Sequence, residues 1–122
     1  MGLMSEDQGF VEIIAAPEFQ RRIRDLSKKY RQIRRDLEPV LAQLQAGEFV
    51  GDQVRGTGYA IFKERVKNSD IPTGKRGGYR LIYQLVSPTC IVLLLIYPKS
   101  EQSDVPAKAI ISIIREFEQL EN

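Results

Sequence analysis

The chain of 122 residues contains no histidine, no tryptophan and a single cysteine, Cys90. Without histidine there is no Ser-His or Cys-His nucleophile pair, no histidine-ligated metal, and none of the commonest general acid/base. One cysteine excludes an internal disulfide and a cysteine-cluster zinc site, and fits a reducing cytoplasm. Long apolar runs are missing too. The longest, residues 90–97, is far short of the ~20 residues that a membrane-spanning helix needs, so no membrane partner is expected. The opening residues offer neither a basic n-region nor an apolar stretch, and no secretory signal is expected. Neither sign of charge prevails, with 18 basic against 16 acidic residues.

What is present suits one soluble core. Apolar residues make up 43% and charged residues 28%, too apolar for disorder and long enough for one domain over residues 1–122, with 1–8 as a flexible N-terminal extension. The charges are unevenly placed. Arg21, Arg22, Arg24, Lys28, Lys29, Arg31, Arg34 and Arg35 crowd one segment, and Arg55, Lys63, Arg65, Lys67, Lys75, Arg76 and Arg80 another, whereas the sign turns acidic after Glu101. A basic body with an acidic end suits a phosphate-bearing or acidic partner, although any one run also reads as a solvated helix or sheet face.

Periodicity sets the elements. Residues 9–14 partly alternate and predict a short strand. From Pro17, the apolar residues Phe19, Ile23, Leu26, Tyr30, Ile33, Leu37, Val40, Leu41 and Leu44 step by three and four, as on an amphipathic helix. A single helix over 17–46 would be about 45 Å long, too long for so small a domain, and Pro39 resists continuity. Two helices folded as a hairpin are expected, broken between 27 and 39, with Gly47 closing the second. Residues 48–58 read as a loop, 59–67 as a strand, 68–78 as a polar glycine-rich loop, 79–86 as a strand and Ser87-Pro88-Thr89 as a turn. Residues 90–97 predict a strand that is apolar on both faces and therefore interior. Residues 106–121 predict a last helix with an apolar stripe of Ile110, Ile113, Ile114 and Phe117. The expected fold is α+β: a small, mostly antiparallel sheet with an N-terminal helical hairpin and a C-terminal helix, in the order β-α-α-β-β-β-α.

Strand alternation places the chemistry. Lys63, Arg65 and Lys67 share one face of their strand and Phe62 and Val66 the other, where Glu64 fits only at a rim. Pairing with the next strand lets Lys63, Arg65 and Arg80 converge. Tyr97 and Lys99 lie at the neighbouring strand end, and Lys75 and Arg76 overhang from the loop. Clustered cations call for a polyanion, and a phosphodiester backbone supplies one. Tyr97 is expected to stack on a base or to meet a phosphate, and Arg80 to sit at an exposed polar surface where it carries little packing. No carboxylate pair stands at metal-binding spacing, so a two-metal nuclease is poorly supported, and no cofactor is expected.

Three segments together carry a resemblance. Phe62-Lys63-Glu64-Arg65-Val66-Lys67-Asn68-Ser69-Asp70, Gly74-Lys75-Arg76-Gly77-Gly78-Tyr79-Arg80-Leu81-Ile82-Tyr83 and Leu94-Leu95-Ile96-Tyr97-Pro98-Lys99-Ser100 resemble the RelE side of the RelE/ParE toxin superfamily. The likeness covers about residues 19–114. It implies a type II toxin–antitoxin system whose toxin cleaves messenger RNA on the ribosome without a metal, inhibits translation, and is neutralised by a cognate antitoxin in a hetero-oligomer. Lys63, Arg65 and Arg80 match the family's basic active-surface positions. Lys75, Tyr97 and Lys99 match positions of the subgroup with the glycine-rich loop. Two positions depart from the pattern: an arginine common after the Lys99 position is Ser100 here, and a tyrosine of the best-known branch falls near Pro106.

The implied reaction is attack of a ribose 2′-OH on the adjacent phosphate. The implied catalytic set is Lys63, Arg65, Arg80, Tyr97 and Lys99, with Lys67, Lys75 and Arg76 binding RNA. Arg65 and Arg80 would stabilise charge on the phosphate, Lys63 is the first choice to accept the 2′-OH proton, and Lys99 or Lys75 would serve the leaving oxygen. A ParE-like gyrase inhibitor that cleaves nothing, and an inactive relative that only binds a partner, remain alternatives on the same fold.

Overall fold

The computed structural model describes residues 10–71, 77–102 and 104–121, so the readings for segment 1–8 and for Lys75 and Arg76 lie outside the described residues. The chain runs β1 (Glu12–Ala15), α1 (Pro17–Leu26), α2 (Ile33–Gln45), β2 (Asp52–Val54), β3 (Ile61–Val66), β4 (Tyr79–Ser87), β5 (Cys90–Pro98) and α3 (Ala107–Glu121). It is an α+β fold. The three- and four-residue stepping buries Phe19, Ile23 and Leu26 from α1 and Ile33, Leu37, Val40 and Leu44 from α2. Pro17 occupies the first turn of α1, where a missing N–H leaves no bond unmade.

The hairpin breaks at residues 27–32, and Pro39 lies inside α2. It sits on the exposed side of that helix, where a carbonyl deprived of its N–H partner can turn to water. Gly47, at φ +88°, ends α2: its N–H donates to the Leu44 carbonyl at 3.0 Å and the Glu48 N–H to that of Gln43 at 2.9 Å. That pair of bonds is a Schellman closure.

The five strands lie in the order β1-β5-β4-β3-β2. Among the described residues, only the β1–β5 pair is parallel. Strand β2 falls in the segment read as a loop. Three mostly exposed residues close to glycines leave no alternation to read, yet they pair with β3 from Asp52↔Lys63 to Val54↔Ile61.

Helices cover both faces. The α1–α2 hairpin packs with Val66, Tyr79, Leu81, Tyr83, Ile91, Leu93 and Ile96. On the other face α3 buries Ile110 and Ile114 against Ile61, Ile82, Val92, Leu94, Leu95 and Tyr97, so its apolar stripe faces the sheet. Two fully buried isoleucines are worth about 3–6 kcal/mol before entropy is counted, a modest anchorage for a helix of this length.

A bulge in β5 decides which residues reach the site. Ile82 pairs with Leu95 but Tyr83 pairs with Leu93, so Leu94 is an extra residue. Leu94 and Leu95 both join the α3-side cluster, and the alternation beyond them is inverted: Ile96 turns to the hairpin and Tyr97 to α3. Had the strand alternated regularly through Leu94, Tyr97 and Lys99 would fall on the hairpin face.

Candidate functional site

Register places the basic residues. Lys63 pairs with Ile82 and Arg65 with Arg80, and Arg80 in turn pairs with Tyr97. Arg65, Arg80 and Tyr97 therefore form one cross-strand row on the α3 side of the sheet, beyond the part that α3 covers. An open cleft of about 440 Å³ lies there, lined by Gly51, Asp52, Lys63, Glu64, Arg65, Arg80 and Lys99. Glu64 sits at a rim because β2 begins opposite Lys63 and leaves the rest of β3 as a sheet edge.

Two glycines close the chain onto β3. At Gly51 (φ +107°) a Cβ would stand 2.5 Å from the Lys63 carbonyl oxygen, and at Gly78 (φ +59°) 2.5 Å from that of Val66. Neither approach tolerates a side chain. The Gly78 carbonyl then accepts the Lys99 N–H at 2.9 Å, which holds Lys99 at the cleft mouth.

Arg80 is not at an exposed surface. It is 8% exposed, and its Nη1 donates to the carbonyls of Gly77 at 2.6 Å and Tyr79 at 3.2 Å. One edge of the guanidinium is spent on backbone, which fixes its orientation and makes the residue structural as well as site-lining. Tyr97 is 1% exposed and packs in the α3-side cluster, so its ring has no free face for a base to stack on. Its hydroxyl is buried without a hydrogen-bond partner. Burial and the charge of Asp104 hold this phenol above its ordinary pKa, against the opposing pull of Arg80. Lys67 is exposed just past the end of β3 and does not line the cleft.

The site's one ion pair among the described residues joins Lys63 Nζ to Asp104 Oδ1 at 3.5 Å. The Asp104 carboxyl is held below its usual pKa, first by the Val105 N–H, which it accepts at 2.9 Å, and then by Lys63. Of the predicted residues, Lys63, Arg65, Arg80 and Lys99 are brought together, Tyr97 lies beneath them and Lys67 stands apart. Four cations face Asp52 and Glu64, neither of which has an ion-pair partner among the described residues. Such a surface can grip a phosphodiester and stabilise charge that develops on it.

No protein-family model and no curated protein matches the chain.

Residues of the hairpin, two of its basic ones among them, hold the loops that frame the cleft. Lys29 and Tyr30 each donate to Glu101 Oε2 at 3.0 Å, and Arg22 donates to Gln102 at 3.1 Å. Asp36 accepts from the Ser69 N–H at 2.9 Å, and Asp70 accepts from the Gln32 N–H at 2.9 Å. Arg21 bridges Glu18 and Glu116. Asp104, Asp52 and Gly51 went unnoticed in the sequence. A glycine ahead of a three-residue strand, or a lone aspartate after β5, carries no local signal of the residue it will meet. Among the described residues no three metal-ligating side chains gather, and no helix is long and apolar enough to cross a membrane.

Proposed function

We infer that the chain is the toxin of a type II toxin–antitoxin system, a metal-independent endoribonuclease that cuts messenger RNA on the ribosome in the cytoplasm and is silenced by a cognate antitoxin. The observation that carries this reading is the convergence of Lys63, Arg65, Arg80 and Lys99 on one open cleft, at the positions where the sequence resembles RelE-like toxins. A surface that only docks onto a protein has no need of four cations around one concavity.

In this reading a ribose 2′-oxygen attacks the adjacent phosphorus while the P–O5′ bond breaks, leaving a 2′,3′-cyclic phosphate and a 5′-hydroxyl. Arg80, oriented by the Gly77 and Tyr79 carbonyls, and Arg65 oppose the charge that grows on the phosphate oxygens. Each is worth a few kcal/mol (~3 by analogy with oxyanion donors). Lys63, as an ammonium, steadies the attacking 2′-oxygen while its proton passes to solvent water, and Lys99 gives a proton to the departing O5′. Tyr97 supports Arg80 from below.

Expression without antitoxin, followed by mapping of message ends, tests the reading. Growth arrest with in-frame cuts in translated messages is the expected result. Intact messages with rising DNA-damage signalling would instead establish gyrase inhibition, and no arrest at all would leave a binding module.

A further inference from the structure

Among the described residues, Lys63 is the cleft cation that already carries an anion. Its partner Asp104 lies on the connector between β5 and α3, at 3.5 Å, and is 77% exposed, so nothing packs it there. Polar geometry holds it instead. The oxygen that faces Lys63 also accepts the Val105 N–H at 2.9 Å, and Val105 is buried in the same cluster as Tyr97. The carboxylate thus hangs on a one-residue tether from a buried anchor. Its carboxyl also feels the charge of Lys99, more weakly than that of Lys63. Carboxylate and phosphate present the same thing to an ammonium group: negatively charged oxygen acceptors.

We propose that Asp104 is the resident counter-ion of Lys63 and that a substrate phosphate replaces it on binding. This rests on reading the cleft as a phosphodiester site. Exposed ion pairs hold weakly, so a phosphate that engages Arg65 and Arg80 at the same time displaces the carboxylate, whereas an isolated anion meeting Lys63 alone competes with a tethered rival. Asp104 therefore sets a threshold: it quiets the cleft when empty and favours polyanions that reach several cations together.

The Val105 amide reports the exchange, because its hydrogen-bond acceptor is the atom that must let go of Lys63. Tripolyphosphate titrated into the full chain, followed by amide NMR, is expected to shift Val105 together with Lys63 and Arg65. Asp104→Asn is expected to bind it about two- to fivefold tighter, and to have no such effect in a Lys63→Met background. A Val105 amide that stays still while Lys63 and Arg65 move overturns the proposal. So does a gain from Asp104→Asn that persists without Lys63, which would be general charge. Should no cleft amide respond at saturation, the phosphate-binding reading falls with it. Exchange observed in a protein that leaves messages intact removes the nuclease assignment alone.

Discussion

Arg65 and Arg80 stand directly opposite each other on neighbouring antiparallel strands. Like charges in that position destabilise a sheet, by roughly 0.2–1 kcal/mol. The conflict is eased on one side only: Arg80 is drawn under the Gly77 carbonyl and buried, while Arg65 remains exposed. A sheet selected for stability alone has no use for this pairing, and an anion lying across both residues removes the repulsion.

Arg65→Thr should therefore separate stability from activity. Removing the like charge and placing a β-branched residue on an exposed strand position is expected to leave stability unchanged or raise it by up to about 1 kcal/mol. Message cleavage is expected to be lost. Denaturant melts run beside end mapping check both halves, and a destabilised variant would make Arg65 a structural residue.

Arg80→Ala behaves differently. It strands the Gly77 and Tyr79 carbonyls near the edge of the core, at an expected cost of about 1–3 kcal/mol, so its inactivity alone proves nothing about chemistry. Arg80→Lys keeps the charge and one donor but not the planar fork. It is expected to recover most of the urea midpoint and little of the cleavage. Full activity in the lysine variant would show that charge, rather than the oriented guanidinium, is what matters.

Gly78→Ala should be costly through steric approach as well as backbone conformation. The new Cβ meets the Val66 carbonyl at 2.5 Å, and an expected loss of about 1–3 kcal/mol corresponds to a fall in melting temperature of roughly 4 °C or more. Gly58→Ala is the control, since Gly58 also has positive φ (+82°) but open space around it. Equal melting temperatures for the two variants would mean that the contact with β3 carries no weight.

Glu101 predicts part of the acid limb of the stability curve. Its hydrogen bond from Lys29 holds its pKa below the ordinary glutamate value of 4.5, with Tyr30 adding to this and desolvation opposing it. A carboxylate depressed on folding contributes stability above its unfolded pKa and loses it as pH falls through the lower folded value. Glu101→Gln is thus expected to be less stable than the parent at pH 7 and to flatten its loss of stability below about pH 4.5. Parallel curves for the two proteins from pH 7 to 2 would remove Glu101 from the account.

The hairpin was legible because the seven buried residues of its two helices, from Phe19 to Leu44, repeat at helical spacing whatever they pack against. The row of Lys63, Arg65 and Arg80 was legible for a similar reason, since a two-residue period and one correct pairing suffice. Burial of Arg80 and Tyr97 was not. Arg80 alternates like a surface residue, and although Tyr97 closes an apolar run, the face it takes is set by the bulge at Leu94 and its cover there by Val105. Asp104 was invisible for the same reason, because its partner lies on another strand and is reached through a turn. Local pattern told which residues share a face, while tertiary closure decided which of them remain open to solvent.

The parallel pairing of Glu12–Ala15 with the start of β5 also fixes an order in time. Among the described residues β1 is the first strand and its one strand partner lies near the far end of the chain, so it can pair only after the start of β5 has been synthesised. Closing that long loop last costs only slowly growing entropy. The cleft is built from β3, β4 and the end of β5, away from that edge, so an opening at β1 would leave the strand pairings beneath it in place.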